Sequence, residues 1–175
     1  MKVRLFDASD ADALTKLLHA AYAELGAVGL NFTAVDQDSA TTLDRAVAGQ
    51  CWVVEDHGRL IGTLTVSIPP SVGLQDLTPE ARHSHRAWLN QVAVSPDHRG
   101  LGIASGLWSR GLHWAAAQGA TSIGVDTAIP AAHLVALYES WGFTTVGEIH
   151  WAGKTYDSVV MVRTLDEQLT TPLIK

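Results

Sequence analysis

The chain has 175 residues, with 12 Lys and Arg against 18 Asp and Glu, a formal net charge of -6, 47% hydrophobic residues and 17% charged ones. A chain of this length buries roughly 70% of its extended surface, so one globular domain over residues 1–175 needs no staples. A single cysteine, Cys51, excludes a disulfide framework, and few, scattered basic residues exclude a nucleic-acid backbone as partner. No run reaches the roughly 18 apolar residues of a membrane span. Acidic residues break the N-terminal segment before a signal-peptide core develops, so the expectation is a cytoplasmic protein with no membrane partner.

Val3 to Phe6 alternates as a short strand, and Ser9-Asp10-Ala11-Asp12 offers a cap with an acid three residues on. The helix that follows places Leu14, Leu17, Leu18 and Ala21 on one face, with Gly26 marking its end. Residues 29–37 show no period. Asp38 or Ser39 caps a second helix ending near Gly49. Cys51 to Ile68 reads as an antiparallel hairpin turning at His57-Gly58, closed by Pro69-Pro70.

A long connection from Pro69 to Arg86 follows, with Thr78-Pro79-Glu80 opening one helical turn. Trp88 to Val94 is the next strand. After a turn at Ser95-Pro96-Asp97 and a glycine-rich corner comes a helix with Ala104, Leu107, Trp108, Gly111, Leu112 and Ala115 on one face, stopped by Gly119. Ser122 to Thr127 is a strand, Pro130 to Trp141 a helix, and Phe143 to Trp151 with Thr155 to Leu165 a closing hairpin. The order predicts one mixed sheet in an α/β, or mixed α+β, domain. The edges of the closing hairpin could pair two copies into a homodimer.

The segment Val92 to Ala104 carries the chemistry. It runs from strand through a tight turn into a helix start, and Gly100 and Gly102 let the backbone approach a ligand closely. The helix beyond presents unpaired N–H groups and the positive end of its dipole, which favours an anion by about 0.3 to 1 kcal/mol per charge. The spacing is not GxGxxG, and no Lys-Ser/Thr ending follows, so the common nucleotide loops do not apply.

Arg99-x-x-Gly102-x-Ala104 after Val92-Ala93-Val94-Ser95-Pro96 resembles the corner motif of the GNAT superfamily of acetyl-CoA-dependent N-acetyltransferases. Leu137-Tyr138-Glu139-Ser140-Trp141-Gly142-Phe143, about 40 residues on, resembles that family's second hallmark. The resemblance covers residues 1 to 165. It implies a central, mostly antiparallel sheet of six to seven strands, splayed in the middle, with about four helices on its faces. It also implies acetyl-CoA as acyl donor and a primary amine of a small molecule or peptide as acceptor.

Carried over residue by residue, the resemblance gives main-chain contacts with the pantetheine arm to Val92, Ala93 and Val94. It gives the pyrophosphate to Gly100, Leu101, Gly102, Ile103, Ala104 and Ser105, and counts Arg99 of the same motif among the cofactor-binding residues. Tyr138 matches the family tyrosine that protonates the departing thiolate. Asp126 lies where one branch places an acidic proton acceptor, and Asn31 and Phe32 fall where the acceptor site is often bordered. One departure is Ala131, where many relatives carry asparagine, so a side-chain contact to the cofactor is lost; His133 is the nearest polar replacement. That departure keeps a non-catalytic CoA-binding module as the alternative reading.

Among the remaining residues, Trp151 near the final turn is a candidate wall of the acceptor pocket, and His85, His150 and Glu24 are candidate bases, with His85 placed on the acceptor side. His83 and His85 could share one face of a strand, but no third ligand stands at a matching spacing and no metal is expected. Cys51 beside Trp52 reads as core, and Trp88, Trp108, Trp114 and Trp141 fall on core faces.

Overall fold

The computed structural model describes residues 1–165. Seven strands, β1 Lys2–Leu5, β2 Gln50–Asp56, β3 Arg59–Ser67, β4 Arg86–Val94, β5 Ser122–Ala128, β6 Thr144–Ile149 and β7 Ser158–Thr164, form a sheet in the order β1-β2-β3-β4-β5-β7-β6. Against the about four helices expected, the described residues hold four of nine or more residues: α1 Ala11–Ala27, α3 Ser39–Val47, α5 Ile103–Ala117 and α6 Ala132–Ser140. Two short ones add to them, α2 Thr33–Asp36 and α4 Val72–Leu77. β1 with β2, β2 with β3, β5 with β7 and β6 with β7 run antiparallel, whereas β4 and β5 run parallel.

The described residues divide into two compact units, Met1–Val66 with Asn90–Gly111, and Ser67–Leu89 with residues 112–165. In the first unit, Leu14, Leu17 and Leu18 of α1 are buried with Ala34, Ala46, Cys51 and Ala93. Each such leucine contributes roughly 1.5 to 3 kcal/mol. α5 lies directly on β3: a Cβ on Gly62 would stand 2.7 Å from the Ile103 Cγ2, and one on Gly111 2.9 Å from a Leu64 methyl. The Ser95 N–H donates to the Ile61 carbonyl at 2.9 Å, so β3 fixes both the end of β4 and the start of α5.

The structure departs from the sequence pattern at both ends of α1. The N-terminal cap is Asp7, not Ser9: Asp7 accepts from the Ser9 N–H and Asp10 accepts from the Asp7 N–H, both at 2.9 Å, around a 3-10 turn that leads into α1. Asp10 is held there by Arg4, at 2.6 and 2.9 Å. Gly26 does not end α1. It admits α2, because its missing Cβ would lie 2.8 Å from a Val35 methyl, and the left-handed residue past the helix is Gly29, at φ 87°.

In the second unit, Leu74, Ala81, Trp88, Ile149 and Val160 form a buried cluster with Trp151 against it. The β4–β5 register runs from Arg86↔Ser122 to Trp88↔Gly124, and pairing of the two strands stops there. The connection from Pro69 to Arg86 contains α4 and the expected turn, a 3-10 helix over Pro79–Arg82 capped by Thr78. His83 and His85 both precede β4 and His85 has φ 60°, so they do not share a strand face.

Candidate functional site

The corner forms because β4 ends in a 3-10 turn over Pro96–His98 and the chain then passes through two left-handed glycines before α5 begins at Ile103. Gly100 has φ 78° and Gly102 has φ 75°, and a Cβ added at either would meet nothing within 4 Å. The backbone conformation itself calls for glycine there, and the space beside it is open. Leu101 and Ser105 are exposed, and Ile103 and Ala104 are half-buried.

The Arg99 side chain turns away to α1, donating to Glu24 at 2.9 Å and to the Ala21 carbonyl at 3.0 Å. Arg99 therefore pins the corner to α1, and Glu24 is its ion-pair partner. The groups the corner offers an anion are the N–H groups opening α5. Those residues fit the pyrophosphate of acetyl-CoA in kind: a helix start, two left-handed glycines and open space.

Sequence reasoning missed Tyr22. Its hydroxyl donates to the Val92 carbonyl at 3.0 Å, and its ring lies 5.3 Å from that of Phe32. Burial pushes the phenol pKa up, which keeps it a donor. Phe32 and Val92 are thus brought together through Tyr22, while Asn31 is exposed at the start of the same loop. Val92 and Val94 are half-buried and Ala93 is buried. The position preceding them, Gln91, is a buried residue in the left-handed region at φ 46°.

In the second unit the structure brings Asp126 and Trp151 together. Asp126 accepts from Trp88 Nε1 at 2.9 Å through one carboxylate oxygen and from Trp151 Nε1 at 2.8 Å through the other. Trp88 packs against β5, where a Cβ on Gly124 would stand 2.2 Å from its ring, and Trp151 packs against Gly73 of α4. His85 is not part of this group. Its carbonyl accepts from the Thr121 N–H, five strand residues, or about 16 Å, before Asp126.

Tyr138 is buried, 5% exposed, with its ring edge-on to Trp141 at 5.8 Å and to Phe143 at 5.9 Å. Ala131 is buried at the N-cap of α6 and makes no side-chain cap, and His133 is exposed. His150 is exposed and 2.9 Å from Asp157. Cys51 is buried, 4% exposed, and desolvation raises its thiol pKa. Among the described residues no helix is long and apolar enough to cross a membrane.

Known proteins resemble this chain in sequence and in fold. N-acetyltransferase 8 of Rattus norvegicus is 37% identical over 100 residues, 55% of this chain and 40% of that protein, so the chain spans well under half of its length. S-(2-succino)cysteine N-acetyltransferase of Bacillus subtilis (strain 168) is 28% identical over 170 residues, 96% of this chain and 98% of that protein. A putative acetyltransferase from Salmonella typhimurium, solved with its cofactor acetyl-CoA, has a similar fold at TM-score 0.69 and 22% identity, over 95% of this chain and 94% of that one. A profile of the acetyltransferase (GNAT) family matches residues 13–143, which is more than half of the chain, and the chain belongs to that family.

Proposed function

We propose that this protein transfers an acetyl group from acetyl-CoA to the α-amine of a small amino-acid-like acceptor, by direct attack in a ternary complex. The observation that carries the reading is the corner of the first unit, where two left-handed glycines in open space precede the start of α5. Acetyl-CoA supplies the activated acyl group. The N–H groups of Gly100 to Ser105 hold its pyrophosphate, and the main chain of Val92 to Val94 pairs with its peptide-like arm.

Asp126 draws the acceptor ammonium and takes up its proton, with its orientation fixed by the two indole donors. The demand on it is small for this acceptor class. Freeing an α-amine of pKa about 7.8 at pH 7 costs about 1 kcal/mol, against about 4.6 kcal/mol for a lysine-like amine. Tyr138 protonates the leaving thiolate, whose pKa of about 8.5 makes an acid helpful without being essential. Burial and a raised thiol pKa make Cys51 a poor nucleophile, which supports direct attack over an acyl-enzyme. The acceptor class is supported by the B. subtilis relative, which aligns along nearly its full length and is named for an S-substituted cysteine.

Thiol release tests this directly, across S-substituted cysteines, other amino acids, peptide N-termini, polyamines and aminoglycosides. Release is expected with free α-amines first. Turnover confined to polyamines or aminoglycosides would overturn the acceptor assignment, and no release above hydrolysis with any amine would leave the non-catalytic CoA-binding module.

A further inference from the structure

Gln91 stands in β4 immediately before Val92, with its side chain 6% exposed and its backbone in the left-handed region. For a residue with a Cβ this conformation is uncommon, and within a strand it redirects the side chain and breaks the ladder. The side chain is held by neighbours that leave no choice of orientation. Arg45 Nη1 donates to Gln37 Oε1 at 2.6 Å, and a guanidinium can only donate. Gln37 must therefore turn its amide nitrogen the other way, where it donates to Thr42 Oγ1 at 2.7 Å and to Gln91 Oε1 at 3.2 Å. Thr42 is in turn fixed by Thr15, with their hydroxyls 2.7 Å apart.

Flipping Gln91 would set its nitrogen against that of Gln37, donor against donor. Gln91 Oε1 is thus committed to Gln37, and Gln91 Nε2 is a buried donor with no acceptor among the described residues. Leaving such a group unpaired forfeits its hydration without a replacement. A relay that orients a buried amide donor by fixing its oxygen is the arrangement of a binding group.

We propose that Gln91 Nε2 donates a hydrogen bond to an oxygen of the bound reactants, aimed there by the Arg45–Gln37–Gln91 relay. The inference rests on the cofactor placement above. With the pyrophosphate at Gly100 to Ser105 and the arm along Val94 to Val92, the acyl end lies past Val92, next to Gln91. The oxygen belongs either to the thioester carbonyl or to the carboxylate of an amino-acid acceptor, and both take the same donor.

The test uses Gln91→Met, which removes the donor at similar volume, and Gln91→Glu, which keeps an oxygen toward Gln37 Nε2 and replaces the donor by an acceptor. Affinities for acetyl-CoA and for CoA are measured by calorimetry. Affinities for S-methylcysteine and for 2-(methylthio)ethylamine, which lacks the carboxylate, are measured in the presence of CoA. If the oxygen is the thioester carbonyl, both variants lower the acetyl-CoA to CoA affinity ratio by about three- to tenfold, one hydrogen bond's worth, and leave the S-methylcysteine to 2-(methylthio)ethylamine ratio unchanged. If it is the acceptor carboxylate, the second ratio falls and the first is unchanged.

Variants that hold both ratios at wild-type values overturn the proposal and make Gln91 a structural residue only. Should a variant fail to fold, the side-chain amide signal of Gln91 in the unaltered protein gives the same answer. Its proton moves downfield with acetyl-CoA but not CoA, or with S-methylcysteine but not 2-(methylthio)ethylamine; a proton that shifts with none of them overturns the proposal. Ser105→Glu, which weakens binding of both cofactor forms if the corner holds pyrophosphate, reports separately on the placement. The affinity ratios remain readable even if no amine on the panel is acetylated.

Discussion

At the scale of single residues, Asp126 differs most from what its neighbours in sequence suggest. Its position on a strand before a helix reads as a cap or a strand-end acid. What holds it is a pair of indole N–H groups from positions 38 residues before it and 25 after it. No local pattern carries that information, because a hydrogen bond between distant tryptophans and an acid exists only once the strands are paired. Gly124 is the hidden member of the group, since only a hydrogen on its α-carbon leaves room for the Trp88 ring. Gly124→Ala would put a methyl 2.2 Å from that ring, which is fully buried and cannot retreat without breaking its bond to Asp126. The expected loss is about 3 kcal/mol in urea unfolding, the upper end for overpacking, together with a raised KM for the acceptor. Unchanged stability would show that Trp88 has another place to go.

At the scale of elements, local signals carried most of the fold. α1 and α5 were legible from apolar residues repeating at 3.6, α3 from its cap at Asp38 or Ser39, and the first hairpin from two runs of strand-forming residues around His57-Gly58. α2 and α4 were not, having only four and six residues, less than two full turns. The corner was legible as a loop because glycines before a helix are a local signal, and its conformation bears that reading out. Tyr22 and Gln91 were not legible: one looked like a helix residue among several and the other like the polar position of an alternating strand. A polar residue at a buried register position in Trp88 to Val94 was the signal that could have found Gln91.

How α5 is placed can be tested through β3. Gly62→Ala brings a methyl to 2.7 Å from the Ile103 Cγ2, a β-branched side chain with one preferred rotamer in a helix, so the first turn of α5 must shift. The expected cost is about 1 to 3 kcal/mol in stability, with acetyl-CoA affinity reduced beyond what the stability change explains, because the N–H groups of the corner move with that turn. Wild-type acetyl-CoA affinity in a destabilised Gly62→Ala protein would separate the packing of α5 from the geometry of the corner.

At the scale of the whole molecule, a net charge of -6 argues against polyanionic partners, yet the proposed cosubstrate is itself a polyphosphate. The two are compatible because they act over different distances. Exposed charges are screened within about 8 Å at physiological salt, while the N–H groups at the start of α5 act at hydrogen-bond range and enter no charge count. Ser105→Glu separates the two effects. Ser105 is exposed in the first turn of α5, where an added acid favours the helix by about 0.3 to 1 kcal/mol, so the ligand-free protein should melt at or slightly above the wild-type temperature. Gly102→Glu lacks this clarity because φ is 75° there, and any side chain strains the ligand-free state too. At a hundred times its Kd, acetyl-CoA should stabilise the wild type by about 2.7 kcal/mol, raising Tm by roughly 5 to 10 °C. In Ser105→Glu the new carboxylate faces the pyrophosphate across a few ångströms, inside the screening distance, so most of that shift should disappear and salt should restore little of it. A full shift in the variant would move the phosphate site away from the start of α5.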